Sequence, residues 1–575
     1  MSKKRVFSNK RGREMLLGDK KQTLSFPELD RQESPSSDFS RRLRKILPAS
    51  WSRGLERVKG IHLVIGLVFV TLIALLIWFF FFVFPSPIGG LSPGSSSYVS
   101  DANVDVKATF SQKVDPKEVS IKVDGKDVTP DASIKPKSVS CKLALTDGEH
   151  KAVVSLDGGG LMGKRNADWS FTVDTTPPDL KITSKKVTQQ KESDQVDVSF
   201  SGKTDKGTAV TVGDDDVPVD SNGDFKGNAT TTRAQSLQIT ATDKAGNEAN
   251  AYVVTQKTPT ARGAHVSIYI AASDTDLDKM IDLVERTELN ALEIDLKNEY
   301  GLIGFDINNP LAREIGSAND YIDLDACVDR VRHKDIYTIC RVVTFKDPIL
   351  AEARPGLAVQ NKYGGPWGKG GWTDPYSREV WDYNVSVAEA AAKAGFNEVQ
   401  FDYVRFPSDG NTDDCLYPGK DDRTPVEVIN GFLEYAREKL ASYNVFISAD
   451  LFGLTASDQG EMGIGQDVQE VAKHVDYLSP MAYPSHYNPG EYGIKSPVDN
   501  PGDTVTATME DFKKAIKGTS ARLRPWLQDF TLKVTYTPDM VRRQIDAVEN
   551  AGVEEWLLWD PDCTYSESAL KPAPK

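Results

Sequence analysis

Charged residues interrupt an apolar stretch in the second half of the chain. In EVQFDYVRFPSDG, residues 398–410, the strand formers Val399 and Phe401 precede Asp402, and Arg405 follows shortly afterwards. A strand buried on both faces should be almost continuously apolar, and an unpaired buried carboxylate is costly. A carboxylate at the C-terminal end of such a strand therefore indicates a functional site.

Similar polar side chains lie at or near the ends of several other predicted strands. They are Asp295, Arg341, Asp450, Gln528, Asp529 and Asp560. Each residue alone could equally belong to a structural ion pair, for example one between Arg405 and a neighbouring aspartate. Together they indicate a single site. We assign Asp402 and Asp450 to catalysis and the others, including Arg405, to substrate binding.

The types of these residues suggest a particular chemistry. Two carboxyl groups facing one bond, one protonated and one ionised, are what glycoside hydrolysis requires. Asp402 and Asp450 end consecutive predicted strands, which lie ~4.8 Å apart in a sheet, and this spacing leaves both retention and inversion open. A nearby arginine would lower one pKa, whereas burial and like-charge repulsion would raise the other. We expect Asp402 to be the ionised nucleophile and Asp450 the protonated acid.

Other residue types narrow the chemistry further. Tyr483 and His486 suit hydrogen bonding to a substrate, and tryptophans in predicted loops could stack on sugar rings, namely Trp367, Trp372, Trp381, Trp526 and Trp559. The six histidines are dispersed and the five cysteines form no C-x-x-C pair, so the sequence predicts neither a metal nor a cofactor. Cys415 and Cys563, both in predicted loops, could be free thiols or a disulfide.

Strand and helix patterns alternate around these residues. The expected strands lie near HVSIYI (His265), ALEIDL (Ala291), IYTICRVV (Ile336), EVQFDYV (Glu398), VFISADLF (Val445), VDYLSPMAY (Val475), RLRPWLQDF (Arg522) and EWLLWD (Glu555). Helical segments such as PDMVRRQIDAVENAG separate them. Residues 263–570 are therefore predicted to form an α/β fold, a (β/α)8 TIM barrel with its site at the C-terminal strand ends. An open doubly wound sheet is the alternative, although no Gly-rich phosphate turn follows the first strand.

Several collinear blocks of the predicted barrel are similar to a known family. GFNEVQFDYVRFPSDG, VVTFKDP, GIGQD, YLSPMAYPSHY, RPWLQDF and WLLWD resemble a family of glycoside hydrolase barrels first catalogued as a domain of unknown function. The resemblance covers roughly residues 264–567 and implies a glycosidase-type barrel with carbohydrate as the substrate class. By analogy with related barrels, Asp402 at the fourth strand would be the nucleophile. The position of the acid differs among those relatives, and the sixth strand here offers Tyr483 in place of a carboxylate.

The N-terminal segments have a different composition. Residues 1–60 hold 16 Lys/Arg against 7 Asp/Glu, a net of +9, and we expect a disordered tail. Residues 61–84 are uncharged over 24 positions, whereas a transmembrane helix needs ~20. The basic flank predicts a cytoplasmic N-terminus and an extracellular remainder. Residues 85–97, PSPIGGLSPGSSS, are expected to be a flexible linker.

Two β-rich segments precede the barrel. Residues 98–176 and 177–260 contain short alternating runs and turn signals, which predict two all-β Ig-like sandwiches acting as a stalk. The second resembles bacterial Ig-like repeats through VDSNGDF and TDKAGNEA. Asp220, Asn222 and Asp224 imitate part of a calcium loop, but the glycine of that loop is missing, which favours a hairpin turn.

Charge and organisation limit the function classes. The total net charge of −14 leaves −23 outside the basic tail, which argues against a nucleic-acid partner. We expect a membrane-anchored extracellular glycoside hydrolase that acts on a cell-wall or exopolysaccharide glycan. The alternative is a non-catalytic carbohydrate-binding or scaffolding protein, because a barrel can keep its groove and lose its chemistry. The Asp402–Asp450 pair favours the enzyme.

Overall fold

The structure is a computed structural model that describes Val68 and residues 70–73, 86–157, 164–190, 193–257, 260–368, 371–408, 410–457 and 461–574. The predicted tail and nearly all of the predicted membrane segment at 61–84 lie outside these residues. In the part of the chain that is described, no helix is both long and apolar enough to cross a membrane. The described residues form two β-rich units followed by a barrel.

The first β-rich unit is built from two sheets around one core. Its strands are β1 (Ile88–Ser92), β2 (Tyr98–Val99), β3 (Asn103–Phe110), β4 (Val119–Val123), β5 (Lys126–Asp127), β6 (Ser133–Lys135), β7 (Ser138–Ala144), β8 (Gly148–Asp157) and β9 (Lys164–Val173). The sheets have the orders β1-β3-β7-β6 and β2-β9-β8-β4-β5, and alternate residues of both enter a shared apolar cluster.

Strand β1 lies inside the segment that was expected to be a flexible linker. Ile88 pairs with Phe110 of β3 and is only 5% exposed, so it belongs to the core of the first unit. The linker prediction is therefore wrong for these residues. A Pro-, Gly- and Ser-rich segment is typical of a linker, so its composition gave no sign of a strand. The burial of Ile88 and the pairing with β3 stabilise this strand.

The second β-rich unit also has two sheets and its own core. Its strands are β10 (Leu180–Gln189), β11 (Gln195–Thr204), β12 (Ala209–Val212), β13 (Asp215–Val217), β14 (Asp224–Thr232), β15 (Leu237–Thr242) and β16 (Glu248–Val253), in the orders β10-β11-β14 and β13-β12-β15-β16. Asp220 Oδ1 accepts from the backbone N–H of Asn222 and Asp224, at 2.8 and 3.0 Å. These bonds close the predicted hairpin turn before β14.

The barrel is a closed ring of eight parallel strand positions. Its strands are β17 (Arg262–Val266), β18 (Ala291–Lys297), β19 (Tyr337–Val343), β20 (Glu398–Asp402), β21 (Phe446–Phe452), β22 (Tyr477–Met481), β23 (Arg522–Leu523) with β24 (Trp526–Gln528), and β25 (Trp556–Trp559). Each pairs in parallel with the next, and β25 returns to pair with β17. The closure confirms the predicted barrel and excludes the open sheet.

Helices connect the barrel strands. They are α1 (Ile268–Ala271), α2 (Asp274–Arg286), α3 (Pro310–Ile315), α4 (Leu324–Arg332), α5 (Pro348–Ala353), α6 (Arg378–Ala394), α7 (Pro425–Leu440), α8 (Val468–Val471), α9 (Pro501–Ala515) and α10 (Pro538–Asn550). Their starts follow local sequence rules. For example, Thr424 and Glu427 form a reciprocal capping box at α7, which satisfies backbone N–H groups of the first turn.

Two strands differ from the predicted ones. The HVSIYI run was expected to be one strand, but β17 ends at Val266 and the following residues form α1, because the Ser267 side chain caps that helix. The RLRPWLQDF run is divided into β23 and β24. Pro525 lies at the break, where it has no N–H to donate to a neighbouring strand.

The second β-rich unit packs against the barrel at the N-terminal ends of its strands. Thr255 donates its backbone N–H to Asn444 Oδ1 at 2.7 Å. Gln256 Nε2 donates to the carbonyl oxygens of Asn397 and Asn444 at 2.7 and 2.6 Å. Asn397 directly precedes β20, and Asn444 lies just before β21. The contact is thus at the face opposite the C-terminal strand ends. The stalk role itself stays a prediction.

Candidate active site

A cavity of about 600 Å³ opens at the C-terminal ends of the barrel strands. The predicted site residues that line it are Arg341, Asp402, Arg405, Asp450, Tyr483, His486 and Trp559. The structure thus brings together residues from five strand positions that are spread over more than 200 positions in the sequence.

Asp402 is held at the cavity floor by Arg341. The guanidinium donates from Nε and Nη2 to Asp402 Oδ2 at 2.9 and 2.5 Å, and from Nη1 to Asp295 Oδ1 at 2.6 Å. All three side chains are buried. The neighbouring strand β19 thus supplies Arg341 as the ion-pair partner of Asp402. Asp295 lies on the far side of Arg341 and does not line the cavity.

The chain turns sharply after Asp402. Tyr403 has a φ of 48°, in the left-handed region, and its backbone N–H donates to Asp402 Oδ1 at 2.6 Å. Arg405 therefore leaves the strand and lies among aromatic rings, 4.8 Å from the centre of Trp372 and 4.4 Å from that of Phe452. Strain in a non-glycine residue is common at functional sites, where surrounding contacts enforce it.

Asp450 occupies a different environment on the adjacent strand. The pair Phe401–Ala449 is in register, so Asp402 and Asp450 each stand one residue further along neighbouring strands. Asp450 Oδ1 accepts a hydrogen bond from Trp526 Nε1 at 2.9 Å. Burial first, and the charge of Asp402 second, raise the pKa of Asp450 well above its usual value. This direction is the one expected of a general acid.

A second layer of titratable groups lies behind the floor. His265 Nε2 is 3.1 Å from Asp295 Oδ2, and the His265 ring stacks on Trp559 with 4.0 Å between centroids. Glu293 is fully buried, and burial raises its pKa to about 8. The ligand atoms of His265, Glu293 and Asp295 all lie within 4.8 Å of one another, close enough to hold a metal ion. The sequence pattern gave no role to His265 or Glu293, since only the pairing of β17 with β18 brings them together.

Aromatic and polar side chains form one wall of the cavity. The rings of Tyr483 and His486 lie 5.4 Å apart, and Phe530 packs 5.5 Å from Tyr483. Burial raises the pKa of Tyr483 well above its usual value and lowers that of His486. At neutral pH the phenol therefore keeps its proton and the imidazole is uncharged, so both can hydrogen-bond to a neutral substrate.

Besides Asp295, three predicted substrate-binding residues lie outside the cavity lining. Gln528 Oε1 accepts from the backbone N–H of Ser485 at 3.1 Å, and Asp529 accepts from the backbone and hydroxyl of Ser566, both at 2.8 Å. Asp560 Oδ1 accepts from a backbone N–H two residues later at 2.7 Å. These bonds anchor the loops around the site. Their positions at strand ends were predicted, but their side chains hold loops and do not line the cavity.

The five predicted loop tryptophans divide between the cavity lining and the core, and the cysteines form no disulfide. Trp526 and Trp559 line the cavity, whereas Trp367 and Trp372 are buried in the core and Trp381 lies in helix α6. All five cysteines are free, which decides against a disulfide between Cys415 and Cys563.

The barrel corresponds to a known protein family. The family model described as "Putative glycosyl hydrolase domain" matches residues 263–565, more than half of the 575-residue chain. The chain belongs to this family. The family match begins within β17 and continues past β25, so the family domain and the barrel coincide.

Solved structures include similar proteins. A hypothetical protein from Ruminiclostridium thermocellum is 37% identical, with 32% of this chain and 96% of that chain covered and a TM-score of 0.30. The PgaB (BpsB) glycoside hydrolase domain from Bordetella bronchiseptica is 14% identical, with 54% and 99% covered and a TM-score of 0.42. A GH18 chitinase from Pseudoalteromonas aurantia is 11% identical, with 52% and 93% covered and a TM-score of 0.33. The comparison with curated proteins found no match.

Proposed function

We propose that the chain hydrolyses O-glycosidic bonds of a glycan, with Asp402 and Asp450 as its two carboxyl groups. The observation that carries this proposal is the asymmetry of the pair within one cavity. Arg341 compensates the negative charge of Asp402, while Asp450 is buried, has a raised pKa and accepts a hydrogen bond from Trp526. One group is thus suited to act as an anion and the other to deliver a proton to the leaving oxygen.

The walls of the cavity suit a sugar substrate. Trp559 and Phe452 line it with aromatic surface, and Tyr483 and His486 offer uncharged hydrogen-bonding groups. Flat apolar faces with a few polar groups are the usual means of orienting a small polar ligand in a pocket. We assign Arg405, also in the lining, to substrate binding.

The experiment that tests this function is a glycan screen. The full chain, purified in detergent, is incubated with cell-wall and exopolysaccharide fractions, and release of reducing ends is measured. The matched control is Asp402→Asn, which should retain binding to the active fraction without releasing reducing ends. If the unmodified chain instead binds a fraction but releases reducing ends from none of them, it is a non-catalytic carbohydrate-binding protein.

We further propose a single-pass membrane anchor with the barrel outside the cell. The support is sequence-based: residues 61–84 carry no charge, and the preceding tail has a net charge of +9. Protease added to intact cells should remove the barrel and spare an N-terminal tag. A tag that is accessible from outside would contradict this topology.

A further inference from the structure

Three ligating side chains meet behind the floor of the cavity. His265 on β17 is the register partner of Glu293 on β18, and Asp295 follows two residues later on the same face of that strand. All three are buried, with exposed fractions of 2%, 0% and 4%. Their ligand atoms lie within 4.8 Å of one another.

Glu293 has no hydrogen-bond donor among the described residues. Neither carboxyl oxygen is paired, although both are buried. The nearest basic atom is Arg341 Nε, which lies 4.0 Å from Oε1. Buried polar groups almost always have partners, because an unpaired one keeps its full desolvation cost. The carboxyl group of Glu293 is therefore directed at a position that a ligand would satisfy.

We propose that His265, Glu293 and Asp295 bind one divalent transition-metal ion, with Zn²⁺ the best match. Imidazole and carboxylate together are ligands that zinc accepts. His265 Nε2 and Asp295 Oδ2 are 3.1 Å apart. Two ligand atoms of a tetrahedral zinc ion, each at ~2.0 Å from it, are separated by about 3.3 Å. These two side chains thus need little movement to share an ion.

The charged groups around the three side chains are also compatible with a bound divalent ion. Asp295 would bind the ion through Oδ2 while its Oδ1 keeps the hydrogen bond from Arg341. Such outer partners orient the ligands of metal sites. With a neutral imidazole, the charges of Zn²⁺ and Arg341 balance those of the three buried carboxylates, Glu293, Asp295 and Asp402; Glu299, 3.9 Å from Arg341 Nη1, is 30% exposed. The ion would not touch the cavity; it would fix Asp295, and through Arg341 it would fix the position of Asp402.

Metal binding is measured directly and without a glycan. The tag-free full chain in detergent is stripped with EDTA and titrated with ZnCl₂ by calorimetry, and bound zinc is counted by elemental analysis. We expect one ion per chain and a higher melting temperature in its presence. Glu293→Gln should weaken the affinity for zinc at least ~100-fold, more than the loss of an outer partner would. His486→Ala is the control, because it removes a cavity imidazole that is not a ligand.

Further variants keep the test decisive. If Glu293→Gln does not fold, His265→Gln replaces it, with the same expected loss of zinc affinity. Co²⁺ bound in place of zinc should give visible absorption bands that disappear in the same variant. Failure of the unmodified chain to bind zinc, or affinity unchanged by both ligand variants, would overturn the proposal. Since no substrate is involved, either result is independent of whether the chain hydrolyses glycans.

Discussion

Replacing Asp402 by asparagine separates catalysis from structure at the cavity floor. The substitution keeps the shape of the side chain and an oxygen that can accept from Arg341, but it removes the negative charge. If Asp402 is the nucleophile, turnover should fall by at least ~10³-fold, the scale seen when a nucleophile is removed. Sugar binding should persist, because the aromatic wall of the cavity is unchanged.

The expected cost in stability is limited by the second partner of Arg341. Removing one member of a buried ion pair costs roughly 3–5 kcal/mol when the other charge is left alone. Arg341 would still contact Asp295 at 2.6 Å. We therefore expect only the difference between a charged and a neutral hydrogen bond, about 1–3 kcal/mol, and a fall in melting temperature of several degrees.

The assay needs a control that breaks a buried ion pair elsewhere. Lys297 and Asp347 form such a pair at 2.9 Å, with exposed side-chain fractions of 0% and 1%, outside the cavity lining. Asp347→Asn should lower the melting temperature as much or more, yet leave kcat per folded molecule unchanged. Both quantities are measured on each purified variant. A folded Asp402→Asn protein with full activity, or one whose activity falls only with its folded fraction, would refute the assignment.

The charge of Asp402 also acts on its neighbour. Burial is the larger cause of the raised pKa of Asp450, and the negative charge of Asp402 is the second. Two charges ~5 Å apart at an effective dielectric constant of ~20 interact by about 3 kcal/mol, or ~2 pH units. In Asp402→Asn the titration of Asp450 should therefore move to lower pH by up to that amount. The fluorescence of Trp526, which donates to Asp450, reports this shift when a Trp526→Phe blank is subtracted.

Three further variants test neighbouring parts of the structure. Asp450→Asn should lower turnover of a natural glycan ~10²–10⁴-fold and lower it less for nitrophenyl glycosides, whose leaving group needs no proton. Because its pKa is raised in the folded state, Asp450 makes the protein less stable as pH rises from the unfolded pKa of ~4 to the folded one. The Asp450→Asn variant should lack this part of the fall in melting temperature with rising pH. Arg341→Lys should reduce kcat ~10²-fold with KM little changed, because one ammonium cannot reproduce the fork between two carboxylates. Asn444→Ala should loosen the docked β-rich unit in limited proteolysis and leave kcat unchanged, since this contact is at the opposite face.

The barrel was predictable because its signal is repeated. Eight alternations of strand and helix outweigh the errors at single elements, such as the Pro525 break and the short helix after β17. Asp402 and Asp450 could also be predicted, because they stand at equivalent points of consecutive strands. The strand Ile88–Ser92 was missed because one buried isoleucine in a Pro- and Gly-rich segment produces no periodicity.

Partners across strands were harder to predict than positions along them. Arg405 is close to Asp402 in sequence, but strand pairing places Arg341 beside that carboxylate. Strand-end position also does not indicate side-chain direction. The pattern therefore assigned Gln528 and Asp529 to substrate binding, whereas their side chains hydrogen-bond to loop residues. A histidine such as His265 carries no signal until its register with the next strand is known.

The two halves of the cavity floor divide the chemistry between them. On the side of strands β17 to β20, His265, Asp295, Arg341 and Asp402 form a continuous chain of hydrogen bonds between alternating basic and acidic groups. Such a chain holds a carboxylate in one position and compensates its charge. On the side of β21 to β24, Asp450 has an indole N–H as its hydrogen-bond donor and a raised pKa. A substrate between the halves would meet a fixed anion on one side and a proton donor on the other, and this asymmetry, rather than the mere presence of two aspartates, favours a hydrolase over a binding protein.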